Sequence, residues 1–421
     1  MRRNLFYLAV GASVLGGVFV LAGAQADAFA QKKTGSEFQI NTEDAGHQTY
    51  PAISGLSDKG FVVTWTAESS VDGFGAGVFG RRYTAGGSPA GVEFQINTTT
   101  KEDQYDSAVA GLPDGGFVVT WVSLHDDKTL ADIYAQRFNA SANKVGAEFR
   151  VNKRASQNQN FPQVAALKGG GFVVVWNSVG KDGTFDVRGR IFKKTGKAKG
   201  KDFVLNNKKK GYQGLAAVAG LSDGGFIVVW QSDGQDGDSF GVYGRGYKRN
   251  GKPRGKEFRI NTYRDGFQGY PSVAGFPKGG FAVTWDSEGQ DGDSTGVFMR
   301  RFNKKGKAKG KETRVNSYRK LAQSKSTVAA LAKGGFVVAW ESADQDKKDD
   351  PVYDPGGIYA QRFKATGKRN GKEFRVHSFI DGDQRYPAVA GLTKGRRFVV
   401  TWESDGQAAN GYNIYGQRYA K

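Results

Sequence analysis

Histidine is the residue most often recruited for acid–base or metal chemistry, and the sequence holds three, His47, His125 and His377. They fall at unrelated points of the chain, which argues against a metal triad or a charge-relay group. Cysteine is absent, so disulfides, thiolate metal sites and thiol nucleophiles are excluded. Carboxylates are better grouped. The run Asp233-Gly234-Gln235-Asp236-Gly237-Asp238 and its copy from Glu288 to Asp293 each place three acids within six residues. Calcium takes about six to eight oxygen ligands, which makes Asp233, Asp236, Asp238, Asp291 and Asp293 candidate calcium ligands and calcium the one cofactor the sequence suggests. Asp-Gly pairs are equally the ordinary residues of hairpin turns. Paired carboxylates are also what glycoside hydrolysis needs, but these acids vary as drifting repeats do. No residue is assigned a catalytic role, and the chain reads as a non-enzyme.

The cations are grouped more tightly. Four stretches carry Lys193, Lys194, Lys197, Lys199 and Lys201; Lys248, Arg249, Lys252, Arg254 and Lys256; Lys304, Lys305, Lys307, Lys309 and Lys311; and Lys364, Lys368, Arg369 and Lys372, with no acid between them. The whole chain has a formal net charge of +20. Charge of one sign concentrated this way steers polyanions and is screened by salt. Lysine predominates over arginine, which suits diffuse attraction better than bidentate recognition. The expected ligand is an anionic polysaccharide, lipopolysaccharide or extracellular DNA. No groove-reading helix accompanies the basic stretches, so sequence-specific nucleic-acid recognition is not expected.

These groups are positioned by a repeat. The seven tryptophans, Trp65, Trp121, Trp176, Trp230, Trp285, Trp340 and Trp402, are spaced 56, 55, 54, 55, 55 and 62 residues apart, and each closes a motif such as Gly-Gly-Phe-Ile-Val-Val-Trp. A period in that range means one supersecondary unit copied in tandem. Each copy has four short segments rich in Val, Ile, Phe, Tyr and Trp and bounded by Gly, Asp and Asn, the signature of strands and turns. The segments are exemplified by Glu37 to Asn41, Pro271 to Gly275, Phe226 to Trp230 and Val242 to Tyr247. None has helical periodicity.

Four strands in each of seven copies predict an all-β fold, a seven-bladed β-propeller. The chain has one segment of the first type spare near its start, and the last copy lacks one. Strand 37–41 is therefore expected to complete the last blade and close the ring. The Ala- and Gly-rich segments belong at the crowded axis. Phe and Trp four residues apart share a strand face and are expected to fill the wedge between blades. Antiparallel order then sends the four lysine stretches to one face and the acidic loops after the tryptophans to the other. The insert from Lys347 to Gly357 is a candidate contact site for a partner.

The repeat EFQINT, GGFVVTW, DGQDGD and VYGQRF-like segments resembles the tandem repeats of large secreted bacterial adhesins of the calcium-dependent RTX type. The resemblance spans essentially the whole chain after its first 30 residues and implies an extracellular or envelope-associated module. The N-terminus fits that address. Arg2 and Arg3 precede an uncharged run from Leu5 to Gly23, followed by the small-x-small sites Ala24-Gln25-Ala26 and Ala28-Phe29-Ala30. This is the order of a secretory signal peptide over 1–30, leaving 31–421 as one propeller domain that is periplasmic, on the cell surface or extracellular.

The sequence therefore reads as an exported, non-catalytic binding, adhesion or scaffold module whose lysine face takes anionic polymers. The alternatives are a polysaccharide-active enzyme, glycosidase or lyase, and a structural subunit of an envelope assembly built through a protein partner.

Overall fold

A computed structural model describes residues 32–420 except 44, 69–74, 125–129, 155–156, 181, 344, 347–355, 394, 396 and 409–410. The expected signal peptide at 1–30, His125 and most of the insert at 347–357 lie outside the described residues.

Seven antiparallel sheets follow one another along the chain, six of them hydrogen-bonded in the order of the sequence. Blade 1 runs from an innermost strand His47–Gly55 through Phe61–Glu68 and Ala76–Tyr83 to an outermost pair Phe94–Gln95. Blades 2 to 6 repeat this plan. Blade 7 takes its outer strand from the N-terminal side, where Phe38 pairs with Gly416 and Gln39 with Tyr415. Lys32 and Lys33 extend the same strand against Ala420 and Tyr419. The ring is thus closed as the spare segment predicts, and the described residues form an all-β, seven-bladed propeller.

The axis is crowded because neighbouring inner strands touch backbone to backbone. A Cβ on Gly111 would sit 2.5 Å from the carbonyl oxygen of Gly55, and one on Gly275 would sit 2.2 Å from that of Gly220. Only glycine fits at such points. Farther out, each Trp strand presents two faces to two gaps. Phe226, Val228 and Trp230 of blade 4 pack on Val173 and Val175 of blade 3, whereas Ile227 and Val229 pack on Phe281, Val283 and Trp285 of blade 5. The period of two puts alternate residues into opposite wedges. All seven tryptophans are fully buried, and the opening Phe of the strand stacks on the closing aromatic of the next, as in Phe226 on Tyr247 at 5.1 Å.

Candidate functional site at the mouth of the central funnel

The seven inner strands share an irregularity that the repeat period conceals. Each has a buried glutamine at or next to its start, and two residues later its register against the next strand slips by a β-bulge, for example between Thr49 and Ala52 or between Ser324 and Thr327. The residue at the slip has a positive φ in every blade: Tyr50 at 52°, Asp106 at 53°, Phe161 at 51°, Leu215 at 46°, Tyr270 at 48°, Lys325 at 51° and Tyr386 at 48°. None is glycine, and a bulky residue held in this region costs on the order of 1–3 kcal/mol. Such strain persists only where the surroundings enforce it.

The enforcing groups come from the neighbouring blade. In four blades the residue following the tryptophan points away from that tryptophan's wedge and reaches the strained backbone next door. Glu403 Oε2 accepts from Tyr50 N at 3.0 Å, Gln231 Oε1 from Tyr270 N at 3.1 Å, Asp286 Oδ2 from Lys325 N at 2.8 Å and Glu341 Oε1 from Tyr386 N at 2.6 Å. Three of these anchors are carboxylic acids, and burial raises all three. Asp286 is pushed up to about 8 and Glu403 to about 7, and Glu341 is also raised.

The seven strained side chains line a central cavity of about 840 Å³, within the ~300–1,000 Å³ range of small-molecule sites. Its wall is divided. Blades 6, 7, 1 and 2 contribute Lys325, Tyr386, Tyr50 and Asp106 in unbroken order, and blades 3, 4 and 5 contribute Phe161, Leu215 and Tyr270. On the ionisable side Lys325 Nζ lies 3.7 Å from the Tyr386 ring centre and 3.3 Å from Glu341 Oε2. The Tyr386 and Tyr50 rings are 4.6 Å apart. Burial, and then their mutual hydrogen bond, keeps the Tyr50 hydroxyl protonated far above the usual range. Burial likewise pushes Asp106 up to about 6. A second cavity of about 450 Å³, lined by Tyr50, Thr66, Glu68, Asp103 and Tyr105, opens beside Asp106. On the apolar side Phe161 is 42% and Tyr270 49% exposed, leaving ring surface on which a ligand can stack. The funnel can therefore hold an amphipathic ring, bind an anionic substituent at Lys325 and move a proton near neutral pH at Asp106.

The residues singled out from the sequence lie elsewhere. The four lysine stretches join third to outermost strands in blades 3 to 6, at the face opposite the funnel mouth, and their lysines are exposed. Arg254 is the exception among their cations in pairing with an acid, Asp223. Arg249 and Arg369 instead donate to backbone carbonyls, those of Gly169 and Val315 among them. The acidic loops after the tryptophans do not have the funnel face to themselves. Loops entering the inner strands share it and bring Lys153, Arg154, Lys208, Lys209, Lys210, Arg264, Arg319 and Lys320.

The candidate calcium ligands make hydrogen bonds within the fold. Asp236 and Asp291 turn inward to accept from Asn261 and Asn316 at 3.3 and 3.1 Å. Asp238 and Asp293 turn outward to the backbone N–H groups of Gly266 and Leu321, and the backbone carbonyl of Asp233 accepts from Lys208 Nζ. Among the described residues no three carboxylate or imidazole groups converge as a cation site. His377 replaces the asparagine found at the same place in the other blades, its Nδ1 accepting from Ile358 N and its Nε2–H donating to Asp346 at 2.6 Å. His47 Nδ1 accepts from Tyr412 N at 3.2 Å.

Sequence reasoning missed the funnel residues. Their signal was a contrast: Gln48, Gln104, Gln159, Gln213, Gln268, Gln323 and Gln384 recur in every copy, and the residue two places later changes character from copy to copy.

No protein-family model matches the chain, and no curated protein matches it in sequence. Solved structures do match in fold. A protein of unknown function from Dyadobacter fermentans aligns over 93% of this chain and 99% of its own with a TM-score of 0.55 and 12% identity. An α-L-arabinanase from Penicillium chrysogenum, solved with arabinobiose, aligns over 73% of this chain and 94% of its own with a TM-score of 0.51 and 15% identity. The polysaccharide lyase Uly1 aligns over 95% of both chains with a TM-score of 0.52 and 11% identity. At these identities the shared property is the fold. The expectation of a non-catalytic module is nonetheless corrected: chains of this fold include an arabinanase and a polysaccharide lyase, and the funnel gathers proton-transfer groups that the sequence had left unassembled.

Proposed function

We propose that this chain is a polysaccharide-cleaving enzyme working at the mouth of the central funnel. The observation that carries the reading is the unbroken order Lys325, Tyr386, Tyr50 and Asp106 on four neighbouring blades, faced by Phe161, Leu215 and Tyr270 on the other three. A sugar ring has C–H faces that stack on aromatic rings and hydroxyls that need polar partners, and the divided wall offers both. The likeness in fold to an arabinanase and a polysaccharide lyase supports the same reading.

Elimination from a uronate-containing chain suits the groups better than hydrolysis. Hydrolysis uses two carboxyl groups flanking the bond, whereas Asp106 is the carboxyl that lines the funnel and Glu341 and Glu403 are committed to the backbone of Tyr386 and Tyr50. In the elimination Lys325 neutralises the substrate carboxylate, which acidifies the adjacent carbon. Asp106 takes the proton from that carbon, the electron pair forms a carbon–carbon double bond, and the bond to the leaving glycosidic oxygen breaks. Tyr50 donates its proton to that oxygen; Asp106 then releases the abstracted proton to solvent and the phenolate is reprotonated from solvent, so both return to their starting states.

The test is incubation with polygalacturonate, alginate and arabinan while reducing ends and the ultraviolet absorbance of unsaturated products are followed. Both signals rising together on a uronate polymer is the expected result. Reducing ends without unsaturation would replace elimination by hydrolysis. Absence of product from every polymer, with the chain folded, would overturn the reading.

A further inference from the structure

The lysine-rich face lies opposite the funnel and takes no part in it. We propose that the four hairpins at 193–201, 248–256, 304–311 and 364–372 form a docking arc for a linear anionic polysaccharide, separate from the funnel on the other face.

The hairpins are alike in backbone as well as in composition. In each, the residue that follows the third strand begins a tight turn: Lys193 N donates to Lys197 O, Lys248 N to Lys252 O, Asn303 N to Lys307 O and Lys364 N to Lys368 O, at 2.8–2.9 Å. A returning bridge pins the second leg, with Phe192 opposite Ala198, Tyr247 opposite Pro253, Phe302 opposite Ala308 and Phe363 opposite Arg369. The cations therefore stand on four rigid copies of one turn. Blades 3 to 6 are consecutive in the ring, so the copies form an arc at one end of the sheets, where antiparallel order also places the turns between first and second strands.

The acids that would neutralise this arc are engaged elsewhere. Glu257, Glu312 and Glu373 each follow a hairpin directly, yet their carboxylates accept the backbone N–H of Asn207, Thr262 and Ser317 and the side-chain amides of Gln235, Gln290 and Gln345. No lysine of the four hairpins forms an ion pair among the described residues, and Arg254 alone of the cations is matched to an acid. The equivalent hairpins of blades 1 and 2, 84–92 and 139–147, carry a single cation, Lys144, so the hairpin charge is densest on blades 3 to 6. Lysine heads are compact and strongly hydrated, which favours a flexible chain of spaced carboxylates that slides among them. A carboxylated polysaccharide is such a chain. Duplex DNA presents denser charge on a stiff rod that an arc of four hairpins meets over only a short length.

The test is retention of the full chain on immobilised polygalacturonate at low salt. The variant with Lys193, Lys194, Lys197, Lys199, Lys304, Lys305, Lys307 and Lys309 all changed to Gln should bind roughly ten- to a thousandfold more weakly. A charge-matched control with Lys153, Arg154, Lys208, Lys209, Lys210, Arg264, Arg319 and Lys320 changed to Gln on the opposite face should bind as the parent does. Equal weakening in both variants would reduce the effect to net charge and overturn the arc, as would unchanged binding by the first. Tighter binding to duplex DNA than to polygalacturonate, lost with the same lysines, would overturn the ligand class. Circular dichroism of both variants separates loss of binding from loss of fold, and retention is read with polymer cleavage assayed apart, so the docking arc and the funnel stand or fall independently.

Discussion

The funnel mouth and the lysine arc are built on the same seven-fold repeat and use it in opposite ways. At the mouth one strained position per blade changes character around the ring, from Lys325 through tyrosines and Asp106 to Phe161 and Leu215. Across the arc four hairpins repeat one residue type on one turn. Proton transfer needs different groups at equivalent places, each with its own environment. Attraction of a polymer needs the same charge many times, with little demand on any single position. The difference teaches that within a repeat protein a variable position under backbone strain points to chemistry, and a uniform exposed one to diffuse binding.

The strongest challenge to this contrast is Asp106→Asn. It should lower polymer cleavage by about 10²–10⁴-fold while leaving retention on polygalacturonate unchanged; a parallel fall in both would merge the two regions into one site. Next comes the fold both depend on. Trp230→Ala should cost about 3–5 kcal/mol in unfolding free energy, because the ring fills the wedge between blades 3 and 4. Each change in the eight-lysine variant should alter stability by no more than about 0.5 kcal/mol, as single surface substitutions do. Denaturant unfolding of both decides whether the arc is free of structural duty.

Acidity gives a finer division. With Asp106 held up to about 6 by burial and acting as base, cleavage should rise as pH increases through about 6 and then level off, whereas retention should follow salt. A rate that falls over the same interval would make Asp106 a proton donor instead. The smallest effect concerns the anchors. Asp286 is raised to about 8 by burial, above an ordinary carboxyl of about 3.9, so the folded state binds the proton more tightly than the unfolded one. Its contribution to stability is complete below the unfolded value and is lost as pH rises through about 8. Asp286→Asn keeps an oxygen for Lys325 N and should flatten the decline in thermal midpoint between about pH 5 and about pH 9. A decline as steep as the parent's would show that another group governs it.

The period of the tryptophans, the alternation within strands and the turn residues are local properties, and they were enough to read the blade count, the strand order, the closure at Phe38 and Gln39 and the opposition of lysine loops to the loops after each tryptophan. The acids of those loops were legible as residues, but their duties were not. Asp236 accepts from Asn261 and Asp238 from the backbone of Gly266, partners 25 and 28 residues away.

The funnel was decided by tertiary structure alone. Tyr50 and Glu403 are 353 positions apart, and a β-bulge has no composition of its own that distinguishes it from the strand around it. By itself the sequence determined the architecture, because each copy carries the hydrophobic pattern that builds a blade and pairs it to the next. Only the closed ring decided the site, because the seven strained residues become neighbours when the last blade meets the first, and burial in that ring gives Asp106, Glu403 and Asp286 proton affinities that no stretch of chain confers.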